Sequence, residues 1–136
     1  MSRRVLLDTN VLVYSTFEDS ERHEEAIKIL TENEVVIPQI VVYEYIWVLA
    51  RLTNNMDLVK QKLEELKDFE IVKEDLEDMI KGVEMLRKDN KPIRMLNDYI
   101  ILAIAKRLNI ELATYDTELV KAGVRHSVNI YPQHSS

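Results

Sequence analysis

Short runs of β-forming residues alternate with longer helical patterns along the whole sequence. Apolar runs rich in Val, Ile and Leu predict strands at 5–7, 35–38, 69–72, 111–116 and 128–131. Stretches with helical periodicity fill the intervals between them. A strand, a helix and a second strand in succession form a βαβ unit, whose strands pair in parallel. The sequence therefore predicts an α/β fold: a single three-layer domain with a mostly parallel sheet of four to five strands flanked by helices.

The composition narrows the classes of function. The chain has 136 residues, 46% hydrophobic and 31% charged, which predicts one globular domain over residues 1–136 with a core at about 4–131 and a short C-terminal tail. The absence of cysteine excludes a disulfide framework, a zinc–thiolate site and a thiol nucleophile. It also fits a cytoplasmic location. Gly82 and Gly123 are the only glycines, too few for a Walker loop or a dinucleotide fingerprint. No apolar stretch is long enough to span a membrane.

The negative net charge limits the kinds of nucleic-acid-related function that the chain could have. A formal charge of −6 argues against a protein that simply coats nucleic acid. It is compatible with a metal-dependent nuclease, whose acids attract cations first and phosphate second.

Asp8 follows the first apolar run directly and precedes Thr9 and Asn10. We predict that Asn10 caps a helix that begins at Val11. Asp8 would then lie at the carboxyl end of the first strand, the edge of a parallel sheet where ligand crevices open. The structural alternative is that Asp8 serves only as a turn or cap.

Three further acids occupy informative positions. Asp116 ends the fourth strand as Asp8 ends the first. Glu44 stands in the middle of a helix at 39–53 that is apolar on nearly every side, so we expect this helix to be buried. Asp98 begins a second apolar helix, where the helix dipole favours a negative charge. Each acid also has a structural alternative. Asp116 could serve as a helix cap, Glu44 could pair with a distant arginine or lie at a solvent-exposed edge of the helix, and Asp98 could interact only with the helix dipole.

The four acids together predict a cation site if the strands that end at Asp8 and Asp116 are neighbours. Four carboxylates placed close together cannot all stay ionised without a cation. With no cysteine and no paired histidines, the ligands would all be oxygen, which suits Mg²⁺ or Mn²⁺. Such ions serve phosphoryl chemistry, so hydrolysis of a phosphodiester is the natural assignment.

Four segments in this order resemble the PIN-domain nucleases. They are Asp8-Thr9-Asn10 after an apolar strand, Glu44, Asn97-Asp98 before an Ile- and Ala-rich helix, and Thr114-Tyr115-Asp116 after a strand. Size and order resemble in particular the virulence-associated protein C (VapC) type of toxin ribonuclease, over about residues 4–131. The resemblance implies a PIN-like sheet flanked by helices, an acidic pocket that binds Mg²⁺ or Mn²⁺, and cleavage of RNA by the toxin of a toxin–antitoxin pair.

The resemblance also implies roles for single residues. The metal-binding and catalytic positions are those of Asp8, Glu44, Asp98 and Asp116. The neighbouring polar positions, which would orient the acids or contact the substrate, are Thr9, Asn10 and Thr114. Arg94, one helical turn before Asp98, either contacts a substrate phosphate or forms an ion pair with Asp98. Glu118 departs from the Asp found in many members, which leaves its role open.

The same resemblance implies partners. A small antitoxin protein should bind the chain and block the pocket, for example by placing a basic side chain among the acids. The apolar helical stretches at 40–52 and 58–66 would either form a homodimer or pack in the core.

The implied mechanism uses one or two metal ions to activate a water for in-line attack on the scissile phosphate, without a covalent enzyme intermediate. A second reading is a catalytically silent PIN-like module that binds RNA or a protein. A third is a phosphatase or phosphotransferase with Asp8 as nucleophile, although Asn10 stands where the haloacid-dehalogenase pattern has a second Asp.

Overall fold

The sheet has four strands, all of them parallel, in the computed structural model of the chain, which describes residues 3–132. The strands are β1 (Arg4–Leu7), β2 (Glu34–Pro38), β3 (Glu70–Val72) and β4 (Glu111–Ala113), and their order in the sheet is β3-β2-β1-β4. β1 and β2 are buried along most of their length, which explains their continuous apolar sequences. The predicted α/β class with a parallel sheet is confirmed.

Within the described residues, seven α-helices connect and flank the strands. They are α1 (Thr9–Thr16), α2 (His23–Glu32), α3 (Gln39–Thr53), α4 (Met56–Glu65), α5 (Leu76–Asp89), α6 (Leu96–Leu108) and α7 (Thr117–Arg125). They pack in two groups: α1 contacts α2 and α3, and α3 contacts α4, whereas α6 packs against α5 and α7. None of the helices in residues 3–132 is long and apolar enough to cross a membrane.

The two apolar helices differ in burial. In α6 the whole run from Tyr99 to Ala105 is buried, as the sequence predicted. The prediction for α3 is wrong, because this helix buries only one face and leaves Tyr43 62% and Trp47 65% exposed. The apolar pattern is continuous around α3, but the chain's own core covers only part of it.

Two other local predictions need correction. The predicted fifth strand is a single bridge between Leu112 and Ile130 rather than a ladder. A glycine after the helical stretch at 117–122 predicts that the helix ends there, but Gly123 lies within α7, and a Cβ at this position would be 2.7 Å from the Ile130 side chain. Asparagines take the helix-ending role instead: Asn54, Asn90 and Asn109 adopt left-handed backbone angles after α3, α5 and α6. Of the predicted C-terminal tail, residues 133–136 lie outside the described residues.

Candidate active site

The strands that lead to Asp8 and Asp116 are neighbours. β1 pairs with β4 so that Leu7 lies opposite Ala113, and the Asp8 amide donates to the Ala113 carbonyl at 3.0 Å. The residues that follow the two strands therefore emerge side by side at the carboxyl edge of the sheet. The fold supplies the juxtaposition on which the sequence prediction depended.

Asp8 is the most deeply buried acid of this edge, with 5% of its surface exposed. Its Oδ1 accepts from the Thr9 amide at 2.8 Å, and its Oδ2 accepts from the Thr114 hydroxyl at 2.7 Å. Burial raises the pKa of Asp8 to about 6, the two hydrogen bonds oppose this rise, and the nearby carboxylates of Glu44 and Asp116 add to it. Asp8 is also the N-cap of α1, so the prediction that Asn10 caps this helix is wrong.

Asn10 has a different task from the predicted cap. Because β1 ends at Leu7, the helix begins at Thr9, and Asn10 lies inside it. Its amide nitrogen donates to the Thr114 hydroxyl at 3.4 Å, and its amide oxygen accepts from the Tyr115 backbone at 3.2 Å. Asn10 therefore ties the first turn of α1 to the segment that follows β4.

Glu44 reaches the same place from α3. The Thr9 hydroxyl donates to Glu44 Oε1 at 2.6 Å, and the Asn97 amide donates to Oε2 at 3.3 Å. Glu44 is half-buried, and its partners come from α1 and α6 rather than from a distant arginine. Asn97 was not predicted as a site residue, although its position directly before Asp98 was visible in the sequence.

Asp98 lies in the first turn of α6 and is half-buried. Burial raises its pKa to about 7; the carboxylates of Asp8, Asp116 and Glu44 add to the rise, and Arg94 opposes it. Within residues 3–132, Asp98 accepts no hydrogen bond from another side chain or backbone amide. Of the four acids, Asp98 is therefore the one with the fewest hydrogen bonds from the protein.

Asp116 behaves first as a helix cap. Its Oδ1 accepts from the amides of Glu118 and Leu119 at the start of α7, at 2.9 and 3.4 Å. The structural alternative for Asp116 is thus realised, and yet its charge still raises the pKa values of Asp8 and Asp98. Thr114 connects the two strand ends, because its hydroxyl donates to Asp8 and accepts from the Asp116 amide at 3.0 Å.

Arg94 and Glu118 face each other at the rim. Their charged atoms lie 3.9 Å apart, and both side chains are more than half exposed, so the pair contributes little to stability. The ion pair of Arg94 is with Glu118 rather than with Asp98, and 71% of the Arg94 side chain is exposed, so its guanidinium is accessible to a ligand.

Three of the four acids line a cleft of about 400 Å³, and Asp116 is not among its lining residues. Its walls are formed by Asp8, Thr9, Asn10, Val13, Tyr14, Glu44, Val48 and Asp98. No basic side chain is among these lining residues. Within residues 3–132, no three Asp, Glu or His side chains already present their donor atoms in an arrangement that would hold a metal ion. Three of the carboxylates, those of Asp8, Glu44 and Asp116, instead accept hydrogen bonds from threonines, Asn97 and backbone amides.

A family profile and several solved structures are similar to this chain over most of its length. A family profile described as the PIN domain matches residues 5–124. No curated protein sequence matches the chain significantly.

Several solved structures have a similar fold. FitAcB from Neisseria gonorrhoeae is 25% identical, with a TM-score of 0.72, over 94% of this chain and 96% of that one. The toxin VapC20 from Mycobacterium tuberculosis, described as cleaving the sarcin–ricin loop, is 17% identical, with a TM-score of 0.74, over 88% and 95% of the two chains. A toxin–antitoxin complex from Klebsiella pneumoniae is 22% identical, with a TM-score of 0.66, over 84% and 88%.

Proposed function

The chain belongs to the PIN domain family, and from that premise we propose that it is a Mg²⁺- or Mn²⁺-dependent endoribonuclease that hydrolyses RNA phosphodiester bonds. The observation that carries the proposal is the cleft shared by Asp8, Glu44 and Asp98, with Asp116 close enough to raise the pKa values of two of them. In folded proteins, buried charged groups are generally paired with an opposite charge or bound to a metal ion. The cleft has no basic side chain among its lining residues, and a divalent cation would supply the opposite charge.

The residues fit a hard divalent ion by their chemistry. All the candidate donors are carboxylate oxygens, helped by the hydroxyls and amides of Thr9, Asn10 and Thr114. The proposed ligands are Asp8, Glu44, Asp98 and Asp116. Their raised pKa values at Asp8 and Asp98 reflect burial and mutual repulsion, both of which a bound cation would offset.

A bound Mg²⁺ or Mn²⁺ would supply the charge that polarises the phosphate and makes an attacking water more acidic. The protein's own residues hold the acids for that task. Thr9 fixes two of them at once, because its amide donates to Asp8 and its hydroxyl to Glu44. Thr114 fixes Asp8 from the other side. Arg94, at the rim, is the proposed contact for a substrate phosphate.

We also propose that the enzyme is the toxin of a toxin–antitoxin pair in the cytoplasm. Support comes from fold similarity to chains described as toxins or as parts of toxin–antitoxin complexes. A small antitoxin protein would inhibit it by placing a basic side chain in the acidic cleft, where Asp98 has no donor of its own within residues 3–132.

A homodimer is proposed on α5 rather than on the predicted stretch at 58–66. The apolar side of α4 turns inward, with Val59 buried and Leu63 packed against the core. By contrast, α5 exposes an aliphatic stripe of Leu76, Met79, Ile80 and Val83. This helix is acidic in its first turn and basic in its last, so two copies packed antiparallel would be complementary in charge.

RNA cleavage by the purified protein tests the proposed function. With Mg²⁺ or Mn²⁺, the wild type should convert RNA into shorter fragments, and EDTA should stop the reaction. Asp8→Asn and Asp98→Asn should each remove the activity, since each deletes a proposed ligand while keeping the shape of the side chain. Equal cleavage in EDTA, or by both variants, would contradict the proposal.

One observation favours the silent binding module as a second candidate. Asp8, Glu44 and Asp116 accept hydrogen bonds from the protein, and within the described part of the chain no group of three acids is prearranged for a metal. Calorimetric titration with Mn²⁺ separates the two: an absence of binding favours the silent module.

A further inference from the structure

One side of α3 carries a row of planar side chains beside the cleft. Gln39, Tyr43, Trp47 and Arg51 follow one another at four-residue spacing, which places them on neighbouring turns of one helix face. Tyr43 and Trp47 are 62% and 65% exposed, although large aromatic side chains are on average mostly buried. We call these four residues the α3 ridge.

The members of the α3 ridge support each other. The Gln39 amide donates to the Tyr43 hydroxyl at 3.4 Å, and the Arg51 guanidinium lies over the Trp47 ring, 5.4 Å from its centroid. These contacts link the ridge residues in two pairs, each made of one aromatic ring and one polar planar group. The row contains a cation and no acid, in a chain whose net charge is −6.

The α3 ridge adjoins the cleft through its own helix. Glu44 and Val48, which line the cleft, directly follow Tyr43 and Trp47 in sequence. A strand that leaves the cleft across this face of α3 would pass the two rings, which are separated by about 6 Å along the helix axis at 1.5 Å per residue. That separation gives each ring room for one base.

We infer that the α3 ridge is a base-stacking surface, on which unpaired bases next to the scissile phosphate lie against Trp47 and Tyr43, with Arg51 close to the backbone phosphates. The inference rests on the proposed nuclease function. Aromatic and guanidinium planes stack on the faces of unpaired bases, whereas a duplex hides those faces. The exposed stripe of α5 is aliphatic and has no such planes, so it suits a protein partner instead.

Trp47 is the only tryptophan of the chain, so its fluorescence reports on the α3 ridge directly. The protein is titrated in EDTA, where no cleavage is expected, with a short single-stranded oligoribonucleotide, with the duplex of the same sequence, and with inorganic polyphosphate. Saturable quenching by the single strand, much weaker with the duplex and polyphosphate, is the expected result. Equal quenching by all three probes would show attraction by charge alone and overturn the inference.

Variants separate stacking from general apolar contact. The affinity for a labelled oligoribonucleotide, measured by anisotropy, should fall about 5- to 150-fold in Trp47→Leu, as expected for the loss of about 1–3 kcal/mol of stacking per base. Tyr43→Leu should lose less, and Trp47→Phe should keep most of the affinity. Val124→Ala, which removes an exposed apolar side chain on α7, is the matched control and should bind like the wild type.

The outcomes distinguish the inference from the proposed function. If the wild type cleaves RNA but Trp47→Leu binds and cleaves equally well, the stacking surface is overturned and the nuclease stands. If the oligonucleotide binds and quenches but is never cleaved with metal, the stacking surface stands and the nuclease fails. If sedimentation velocity shows that Trp47→Leu turns a dimer into a monomer with unchanged affinity for RNA, the α3 ridge is an interface between copies, and the inference is wrong.

Discussion

Asp89 and Asp98 lie on either side of the turn between α5 and α6, yet the charges around them are opposite. The side chain of Asp89 is 8% exposed and accepts hydrogen bonds from Tyr99, Arg125 and His126. Its burial favours the neutral form, but these donors outweigh that effect and hold its pKa below the usual value. Asp98 faces three other carboxylates, and burial together with their charge raises its pKa to about 7.

The difference between the two acids lies in whether the protein itself supplies the positive charge and the hydrogen-bond donors. Asp89 is an acid whose environment is complete within the described chain, and it joins the ends of α5, α6 and α7. No basic side chain is among the residues that line the cleft, and under the proposed function a bound cation would supply the counter-charge. Each variant below tests one side of this comparison.

The largest effect is expected for Asp98→Asn. RNA cleavage should fall at least about 100-fold, because a proposed metal ligand is lost. In EDTA the same variant should unfold at a temperature about 2–4 °C higher than the wild type, because removal of one charge relieves repulsion worth about 1 kcal/mol. Thermal unfolding and a cleavage time course measure both. A variant that is both inactive and clearly less stable would place Asp98 among structural acids.

Asp89→Asn should have the reverse pattern. Loss of a buried charge that accepts from Tyr99, Arg125 and His126 should lower the free energy of unfolding by about 1–3 kcal/mol. Cleavage per folded molecule should stay near that of the wild type, because Asp89 is absent from the walls of the cleft. Urea unfolding and active-fraction assays test this. A loss of activity without loss of stability would remove the distinction between the two regions.

The contribution of Asp89 should also depend on pH in a defined direction. The folded pKa of Asp89 is lower than its ordinary value of 3.8, so folding favours the ionised form. The stabilisation is therefore complete above that value and is lost as the pH falls through the folded pKa. The difference in unfolding free energy between wild type and Asp89→Asn should be constant above this range and shrink below it. A difference that grows in acid would contradict the assignment.

The smallest effect is expected at the rim. Arg94→Gln should raise the KM for RNA about 3- to 10-fold with little change in kcat, as expected for loss of one exposed phosphate contact. Stability should change little, because the Arg94–Glu118 pair is largely exposed. Arg4→Gln is the matched control, since Arg4 also forms an exposed ion pair but begins β1, away from the carboxyl edge of the sheet. Equal KM values for both variants would mean that only overall charge matters.

The sequence predicted the parallel sheet, and with it the emergence of Asp8 and Asp116 at one edge, because both follow from rules of topology. Alternating strands and helices specify parallel pairing, and the neighbouring strands β1 and β4 carry Asp8 and Asp116 to one edge. The short apolar run near Ile130 predicted a full strand, but only one residue pairs. Strand length depends on partners that a local pattern does not reveal.

The remaining errors have a common cause. An apolar pattern around α3 does not show whether Tyr43 and Trp47 meet the chain's own core or solvent. Likewise, Asn10 has the chemistry of a cap, but the end of β1 at Leu7 gives that position to Asp8. The link from Asn97 to Glu44 joins two helices that are distant in sequence, and only the fold brings it about.

Calorimetric titration of Mn²⁺ into the wild type, Asp98→Asn and Asp89→Asn tests most directly whether the cleft lacks a cation. Saturable binding by the wild type and by Asp89→Asn, together with its loss in Asp98→Asn, is the predicted result. Binding that is absent from the wild type, or equally strong in all three proteins, would contradict the account.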